Sequence, residues 1–511
     1  MKLLHLKNSN HIIEKVRVEV NTSRLETAHS IQNNIDTFLK NELFPRLELL
    51  FDEYKFQDEI VRFDELTLDL SVEKGDDLSN LPTEIYKQLK EKIDLQIPFQ
   101  MELKSDFSEY SESEEQNVRR ISATQNSGNV FLFFLMNGYL PWYGKEEQIR
   151  SFTQPETWEK SLDDREFFRK LDHILEISEN ATDRFILQFP DETITAYLRR
   201  KNLRIHAETS AILKISQNLD KDSRRIFLKL LIRLAHDDFP GVSEVFDRLI
   251  FGVMMEEKRV SKKTDIPEIA QFKKLFQRIL PETSLQDSVL EKIDLLIDGK
   301  PWIPNEAQKH QETKPKPFHE NDEDEILIGV QKNQGTKPEP FFEKNEDEIG
   351  IQNAGLILLH PFLKPFFTAC GIAGKHGNLP PENFDLAVQT LHFLATGNED
   401  VFELNLVFEK FLCGVPLKMP LQQKSLLTDS IKTEANDLLV EVVRYWPALK
   451  NTSADGLRQM FIQRDGKLIQ EEAKYKLIVE RKAQDVLLEK LNWNISVIKL
   501  PWISKILFTE W

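Results

Sequence analysis

Trp446-Pro-Ala-Leu-Lys-Asn-Thr-Ser453, Gly456-Leu-Arg458, Phe461-Ile-Gln-Arg-Asp-Gly-Lys-Leu468 and Trp493-Asn-Ile-Ser-Val-Ile-Lys-Leu-Pro-Trp502, closed by Glu510-Trp511, decide how the end of this chain folds. Three of the seven tryptophans fall in the last nineteen residues. Chain ends fray unless they are tied down, so this aromatic density predicts a terminus docked into a core. The Asp465-Gly466 pair between Phe461-Ile-Gln-Arg464 and Lys467-Leu-Ile469 predicts a hairpin, and Tyr475-Lys-Leu-Ile-Val479 continues its sheet. Lys424 to Trp446 predicts a helix with Leu427, Ile431, Leu438, Leu439 and Val442 on one face, stopped by Pro447. Gly355–Phe367 and Leu386–Leu394 also read as helices, as does the stretch carrying Ala483, Val486, Leu487 and Leu491. Thr452 or Ser453 is positioned to cap a short helix from Ala454 to Phe461. Residues 353–511 therefore form an α+β domain.

Upstream, residues 305–352 read as an acidic linker containing a tandem duplication. Thr313-Lys-Pro-Lys-Pro-Phe-His-Glu-Asn-Asp-Glu-Asp-Glu-Ile326 recurs 23 residues later as Thr336-Lys-Pro-Glu-Pro-Phe-Phe-Glu-Lys-Asn-Glu-Asp-Glu-Ile349. Paired prolines favour extended backbone, like charges repel, and two copies are too few for a solenoid. Residues 130–304 are helical throughout by periodicity. One stripe is Phe167-Phe168, Leu171, Ile174 and Leu175, and another is Ile226, Leu228, Leu230, Leu231 and Leu234. Residues 104–129, rich in Ser, Glu, Gln and Asn, predict a polar linker. Residues 1–103 predict a small α/β unit of strand, helix and strand. Val16, Val18 and Val20 alternate; Leu25, Ala28, Ile31, Ile35, Phe38 and Leu39 recur at helical spacing after Ser23; Pro45 starts a second helix or kinks the first; Leu66, Leu68, Leu70 and Val72 alternate; Ile85, Leu89 and Ile93 lie on one helix face. The fold class is α+β, a predominantly helical multidomain chain.

The chain has 511 residues, too many for one hydrophobic core, and carries a formal charge of −17. That charge argues against nucleic acid as the main partner, because a phosphate backbone calls for a basic footprint. Two cysteines, Cys370 and Cys413, preclude a disulfide framework and point to a reducing compartment. The start lacks the apolar region of a signal peptide, and the longest apolar run, Val130 to Met136, is too short to span a bilayer. The expectation is a cytoplasmic, soluble protein without membrane insertion, leaving the cell only within an assembly.

No sequence pattern demands catalysis. Gly371-Ile-Ala-Gly-Lys-His-Gly377 superficially resembles a phosphate-binding loop. However, Ala369 stands where the first glycine belongs and His376 replaces the hydroxyl, so a helix–helix turn is the better reading. Cys370, His376 and His360 lack the second pair of ligands that a zinc site needs, which leaves buried thiols. Asn321-Asp-Glu-Asp-Glu325 and Glu346-Asp-Glu348 lack the calcium-loop pattern. His173 and His392 sit in apolar stretches, as core or surface histidines do. The expectation is no enzyme, no catalytic, cofactor-binding or metal residues, and no cofactor.

Several segments, in order, resemble the contractile injection system tape measure family of phage-tail-like particles. Val16-Arg-Val-Glu-Val20 and Val61-Arg-Phe-Asp-Glu-Leu-Thr-Leu-Asp-Leu70 are similar to its opening strands. Phe134-Leu-Met-Asn-Gly-Tyr-Leu-Pro-Trp142 and Asn353-Ala-Gly-Leu-Ile-Leu-Leu-His-Pro-Phe-Leu363 resemble two of its internal elements. Phe393-Leu-Ala-Thr-Gly397, Leu412-Cys-Gly-Val-Pro416, Leu449-Lys-Asn-Thr-Ser453 and Ile495–Trp502 follow in the family's order, so the resemblance covers nearly the whole chain. It implies a non-enzymatic component that occupies the tube lumen and sets tube length. Its partners would be the tube, baseplate or cap proteins of the particle. The alternative role is a cytoplasmic assembly chaperone or scaffold that is absent from the finished particle.

Overall fold

The computed structural model describes residues 11–22, 25–54, 59–70, 81–103, 118–202, 208–219, 221–236, 274–278, 348–374, 377–450, 452–471 and 474–511, together with 206 and 290. Packing divides the chain into two units, Met1–Asn129 with Trp142–Gly144, and Val130–Pro141 with Lys145–Trp511. The chain is a predominantly helical α+β protein with small sheets.

In the first unit, Leu25–Phe38 runs through one π turn, Leu39–Leu43, into a second helix, Phe44–Glu53. Pro45 explains the change of pitch. It has no N–H to continue the ladder and its ring crowds the preceding turn, so it both starts the second helix and distorts the end of the first. Leu39, Leu43, Phe44, Leu47 and Leu50 pack against Ile85, Leu89 and Ile93 of the helix Leu81–Leu103. Leu25, expected on this face, is exposed.

The strands of this unit differ from expectation. Residues 11–22 carry no helix and pair in no ladder among the described residues, and Val18 and Val20 are exposed. Residues 65–70 also form no strand, although Leu66 and Leu68 lean on the helical core. The sheet is instead β1, Glu59–Phe63, antiparallel to β2, Val118–Ser122. Residues 118–129, assigned by composition to the 104–129 linker, thus form β2 and the start of the helix Ala123–Asn137. Window composition cannot detect a partner strand more than fifty residues away: Val118 is buried by pairing with Phe63, and Ile121 pairs with Ile60. Residues 104–117 and Ser23 lie outside the described residues. Arg62 and Arg119 stand opposite each other across the ladder, and their repulsion is relieved separately. Arg119 donates twice to Asp64 at 3.0 Å, while Arg62 lies 3.5 Å over the Tyr143 ring and bonds Asn126.

The second unit contains short helices in series. Arg165–Ile177 follows the predicted stripe: Phe167, Leu171, Ile174 and Leu175 are buried, and Asp164 caps the helix by accepting from the Glu166 and Phe167 N–H groups. Phe131, Phe152, Trp158, Phe167, Phe185 and Phe189 form one aromatic cluster, with the Trp158 indole donating to the Thr193 carbonyl at 2.9 Å. In Lys221–Ala235, Phe227 and Ile232 join Leu228, Leu230, Leu231 and Leu234 in the buried set, while Ile226 is only half-buried.

The C-terminal part of this unit is a five-stranded sheet ordered β3-β4-β5-β7-β6, flanked by helices. Its strands are β3, Glu348–Ile351; β4, Gly466–Gln470; β5, Lys474–Val479; β6, Val497–Ile498; and β7, Ile506–Glu510. All neighbours are antiparallel except β5 and β7. Leu468, Leu477, Val479, Ile498 and Leu507 fill its buried face. Two expectations are corrected here. The hairpin joins β4 to β5 and not Phe461–Arg464 to Lys467–Ile469, because Phe461 and Ile462 are both fully buried within a helical turn. Gly466 is needed for close approach, since a Cβ there would lie 2.7 Å from the Ile478 carbonyl oxygen. Residues 348–352, placed by composition in the 305–352 linker, include β3. Both 23-residue copies up to residue 347 lie outside the described residues. The helical and C-terminal segments expected as separate domains, 130–304 and 353–511, fall in one packed unit where they are described, and buried side chains of one bond the other.

The terminus is docked. The indoles of Trp446, Trp493, Trp502 and Trp511 donate to Leu487 O, Leu358 O, Leu412 O and the Asp485 carboxylate respectively, and Arg481 holds the Trp511 carbonyl at 2.8 Å. Ser453 caps Ala454–Leu457 by accepting from the Gly456 N–H at 3.0 Å. A chain truncated after Ser504 loses β7, the strand between β5 and β6. Its thermal unfolding, followed by circular dichroism, is expected to lose the cooperative transition of this unit; a melt matching the full chain would show that the last strand is dispensable.

Candidate functional site

Two carboxylates, Glu403 and Glu409, lie fully buried in the second unit, and each is held in a polar network. Glu403 precedes the helix Val407–Leu412, and Glu409 lies within it, in the apolar run Val407-Phe408-Glu409-Lys410-Phe411-Leu412. Burying a charge is costly unless it is paired and hydrogen-bonded. Glu403 meets this demand with two cations: Lys410 Nζ at 2.5 Å and Arg184 Nε at 3.0 Å, each almost wholly buried. Arg184 also donates to the Leu135 carbonyl and, at 2.7 Å, to the Lys418 carbonyl. Lys410 directs its other protons to the Leu417 and Met419 carbonyls at 3.0 and 2.7 Å. Burial pushes the Lys410 ammonium below the usual lysine value, and the Arg184 charge acts in the same direction against the pull of Glu403.

Gln188 reinforces this clasp. Its amide donates to the Leu421 carbonyl at 2.5 Å and accepts from the Glu403 N–H at 3.2 Å, so the helix Glu179–Gln188 is tied to residues 403–421 by Arg184 and Gln188 one turn apart. Gly138 packs against the same charges in a left-handed conformation, φ 80°. A Cβ at this position would lie 2.7 Å from Arg184 and 2.8 Å from Glu403. Glu409 has a second set of partners: Asn353 donates to it at 2.8 Å and His392 Nδ1 lies 3.4 Å away. One oxygen of each carboxylate, Glu403 Oε2 and Glu409 Oε2, has no hydrogen-bond partner among the described residues.

This arrangement positions backbone and does not expose a reactive group. The three ammonium protons of Lys410 are engaged, and Glu403 and Arg184 are sealed from solvent. Beside the clasp, a cleft of about 260 Å³ is lined by residues including Asp183, Arg225, Asp385 and Met419. Arg225 and Asp183 pair with each other at 2.6 Å, so the cleft's charges are largely mutually engaged. Among the described residues no group of three or more His, Cys, Asp or Glu could hold a metal ion. His376 lies outside them, Cys370 is half-buried, and Cys413 is buried. The glycines near 371–377 follow the C-terminal end of the helix His360–Ala369, whereas a phosphate loop opens the N-terminus of one. Glu348 of the acidic run is in β3 and pairs with Lys467 at 3.0 Å. His173 is exposed, and His392 is buried beside Glu409.

Sequence reasoning singled out none of Arg184, Gln188, Glu403, Glu409 or Lys410. A signal was present for the last three: charged residues within runs such as Val401-Phe402-Glu403-Leu404 and Val407 to Leu412, where a solvated face would break the apolar pattern. Arg184 had no comparable signal, because its partner is more than two hundred residues away.

Glu403→Ala leaves two buried cations unpaired and is expected to destabilise the protein by ~3–5 kcal/mol. The triple exchange Arg184→Met, Glu403→Leu, Lys410→Met removes all three charges together and is expected to cost less than the single change; denaturant titration measures both. The thiols give an independent check. Burial pushes Cys370 up to about 11, and burial beside Glu409 pushes Cys413 well above the usual thiol value. A raised value depletes thiolate, so native Cys370 should alkylate about 100-fold more slowly at pH 8 than an ordinary thiol, accelerating about tenfold per pH unit. Cys413 should label only on unfolding. Mass spectrometry of timed alkylation reads both, and rapid labelling of native Cys413 at pH 8 would contradict its burial.

Two segments that carried the family resemblance reach these carboxylates, and two others meet at the end of the helix that holds Glu409. Gly138 from Phe134–Trp142 covers Glu403, Asn353 opens the segment that reaches Glu409, Leu412 receives the Trp502 indole, and Gly414 lies against Trp502. No curated protein and no solved structure matches the chain significantly. The sequence pattern of one family, described as contractile injection system tape measure protein, matches residues 10–511. With that match spanning nearly the whole length, the chain belongs to the contractile injection system tape measure protein family.

Proposed function

We propose that this protein is a non-enzymatic structural component of a contractile injection particle that contributes to setting tube length, with tube, baseplate or cap proteins as its partners. The observation that carries the reading is the family match across residues 10–511. The site geometry supports the non-enzymatic part. The buried charges fasten segments to one another, and two of the family-like segments, through Gly138 and Asn353, pack against Glu403 and Glu409. No helix among the described residues is long and apolar enough to cross a membrane.

A second reading is a cytoplasmic assembly chaperone or scaffold that leaves before the particle is complete. It is supported by the compact packing of the second unit and by helix length. Among the described residues the longest helix, Leu81–Leu103, has 23 residues, about 35 Å at 1.5 Å per residue.

Deleting residues 313–335 removes one 23-residue copy and leaves every described element intact. A ruler whose deleted segment is helical shortens the tube by ~35 Å, and one whose segment is extended shortens it by ~70–80 Å. Tube lengths measured by electron microscopy over many particles distinguish these values. Unchanged lengths at normal particle yield would overturn the length-setting role and leave the scaffold.

A further inference from the structure

The 23-residue duplication includes a strand. The second repeat, Thr336–Ile349, runs into Glu348-Ile349-Gly350-Ile351, which is β3, the edge strand paired with β4 among the described residues. The equivalent residues of copy one are Glu325-Ile326-Leu327-Ile328. We infer that the edge of β4 is a slot for either copy of this strand: Glu325–Ile328 of the same chain takes it in the register of Glu348–Ile351 whenever the latter is displaced.

Each slot position accepts the copy-one residue. Glu348 opposes Ile469 and bonds Lys467 at 3.0 Å, and Glu325 supplies the same carboxylate. Ile349 opposes Leu468 and packs on the core, and Ile351 is buried opposite Gly466; Ile326 and Ile328 keep both side chains on the buried face. The one difference is at Gly350, where Leu327 would stand. A Cβ built on Gly350 meets nothing within 4 Å, so the larger residue enters open space opposite Lys467.

The residues after the strand explain why copy two holds the slot at rest. Asn353 is left-handed, φ 55°, and donates to Glu409 at 2.8 Å, while Ala354 N–H bonds the Arg464 carbonyl at 2.8 Å. A Cβ on Gly355 would lie 1.8 Å from the Phe461 carbonyl oxygen. Copy one has Val330 and Lys332 at the positions of Asn353 and Gly355. A β-branched residue is strained in the left-handed region, and a lysine cannot enter the space against Phe461. Copy one is therefore competent for the strand and incompetent for the anchor that follows it. Residues 353–355 stay in place in both arrangements, and 329–352 close a loop between strand and anchor. The chain then enters the sheet 23 residues earlier, which shortens the upstream tether by roughly 70–80 Å of extended reach. This inference does not rest on the assembly role proposed above.

The test uses purified full-length protein. Ile351→Asp places a charge in the buried slot position. With copy one present, its melting temperature is expected to fall by only a few degrees. With residues 313–335 deleted, or with Ile328→Asp added, it is expected to fall at least ~5 °C further. The deletion alone and Ile328→Asp alone are expected to leave melting unchanged. Equal loss from Ile351→Asp with and without copy one would overturn the inference. A second measurement covers the case in which Ile351→Asp fails to fold. The pairs Glu325→Cys with Ile469→Cys, and Glu348→Cys with Ile469→Cys, are treated in the otherwise native chain with a short bifunctional thiol reagent. An intramolecular cross-link from both pairs is expected, weaker at 325. A cross-link from 348 alone, or one from 325 that appears only between chains, would overturn it.

Discussion

The architecture of the second unit depends on the need to neutralise Glu403 inside an apolar core. A carboxylate taken from water costs several kcal/mol, and only close, well-oriented cations offset that. Lys410, on the helix that follows the bend after Glu403, supplies one cation, and Arg184, from a distant helix, supplies the other. The remaining donors of both cations fasten backbone carbonyls at 135, 417, 418 and 419, so neutralising one charge fixes three separate stretches of chain. Net stability from such a cluster is small. Its physical effect is selective, because other ways of packing these helices would strand a charge.

Much of the surrounding structure follows from that requirement. Gly138 has to lack a side chain because the space a Cβ would take is filled by Arg184 and Glu403. The Phe402 ring beside Glu403 lies under the Arg150 guanidinium, and the Phe134 ring lies near Arg184. Glu409 similarly fixes Asn353, and with it the point at which β3 leaves the sheet and the chain enters the Ala354–Leu359 turn. The helix Val407–Leu412 thus presents Glu409 and Lys410 to different networks, and its last carbonyl receives the Trp502 indole.

The C-terminal sheet uses a different constraint. Its parallel pair, β5 with β7, requires a long crossover, and residues 480–505 supply it with a 3₁₀ helix and β6. Indole N–H groups donate to backbone carbonyls or a carboxylate along this route, which places large apolar rings in the core without leaving polar atoms unsatisfied. The outer edge of β3 carries no further strand among the described residues.

The sequence by itself determined the features whose causes are local. Helical periodicity placed Arg165–Ile177 and Lys221–Ala235, Pro447 ends the helix Asp429–Tyr445, which starts at Asp429 and not at the expected Lys424, Ser453 caps its short helix, and the tryptophan-rich end announced a docked terminus. The ordered family-like segments also lie in the sequence, which is why the resemblance is legible from the sequence alone. Only the tertiary structure decided which alternating stretches became strands. Val16–Val20 has the pattern but no ladder partner among the described residues, whereas Val118–Ser122 lies in a polar stretch and pairs with Glu59–Phe63. It also decided that Glu403, Glu409 and Lys410 would be buried: their partners Arg184, Asn353 and Glu403 arrive through contacts distant in sequence or through the bend before the helix. Periodicity and propensity act over a few residues, while strand pairing and charge neutralisation depend on what the folded chain brings within about 3 Å.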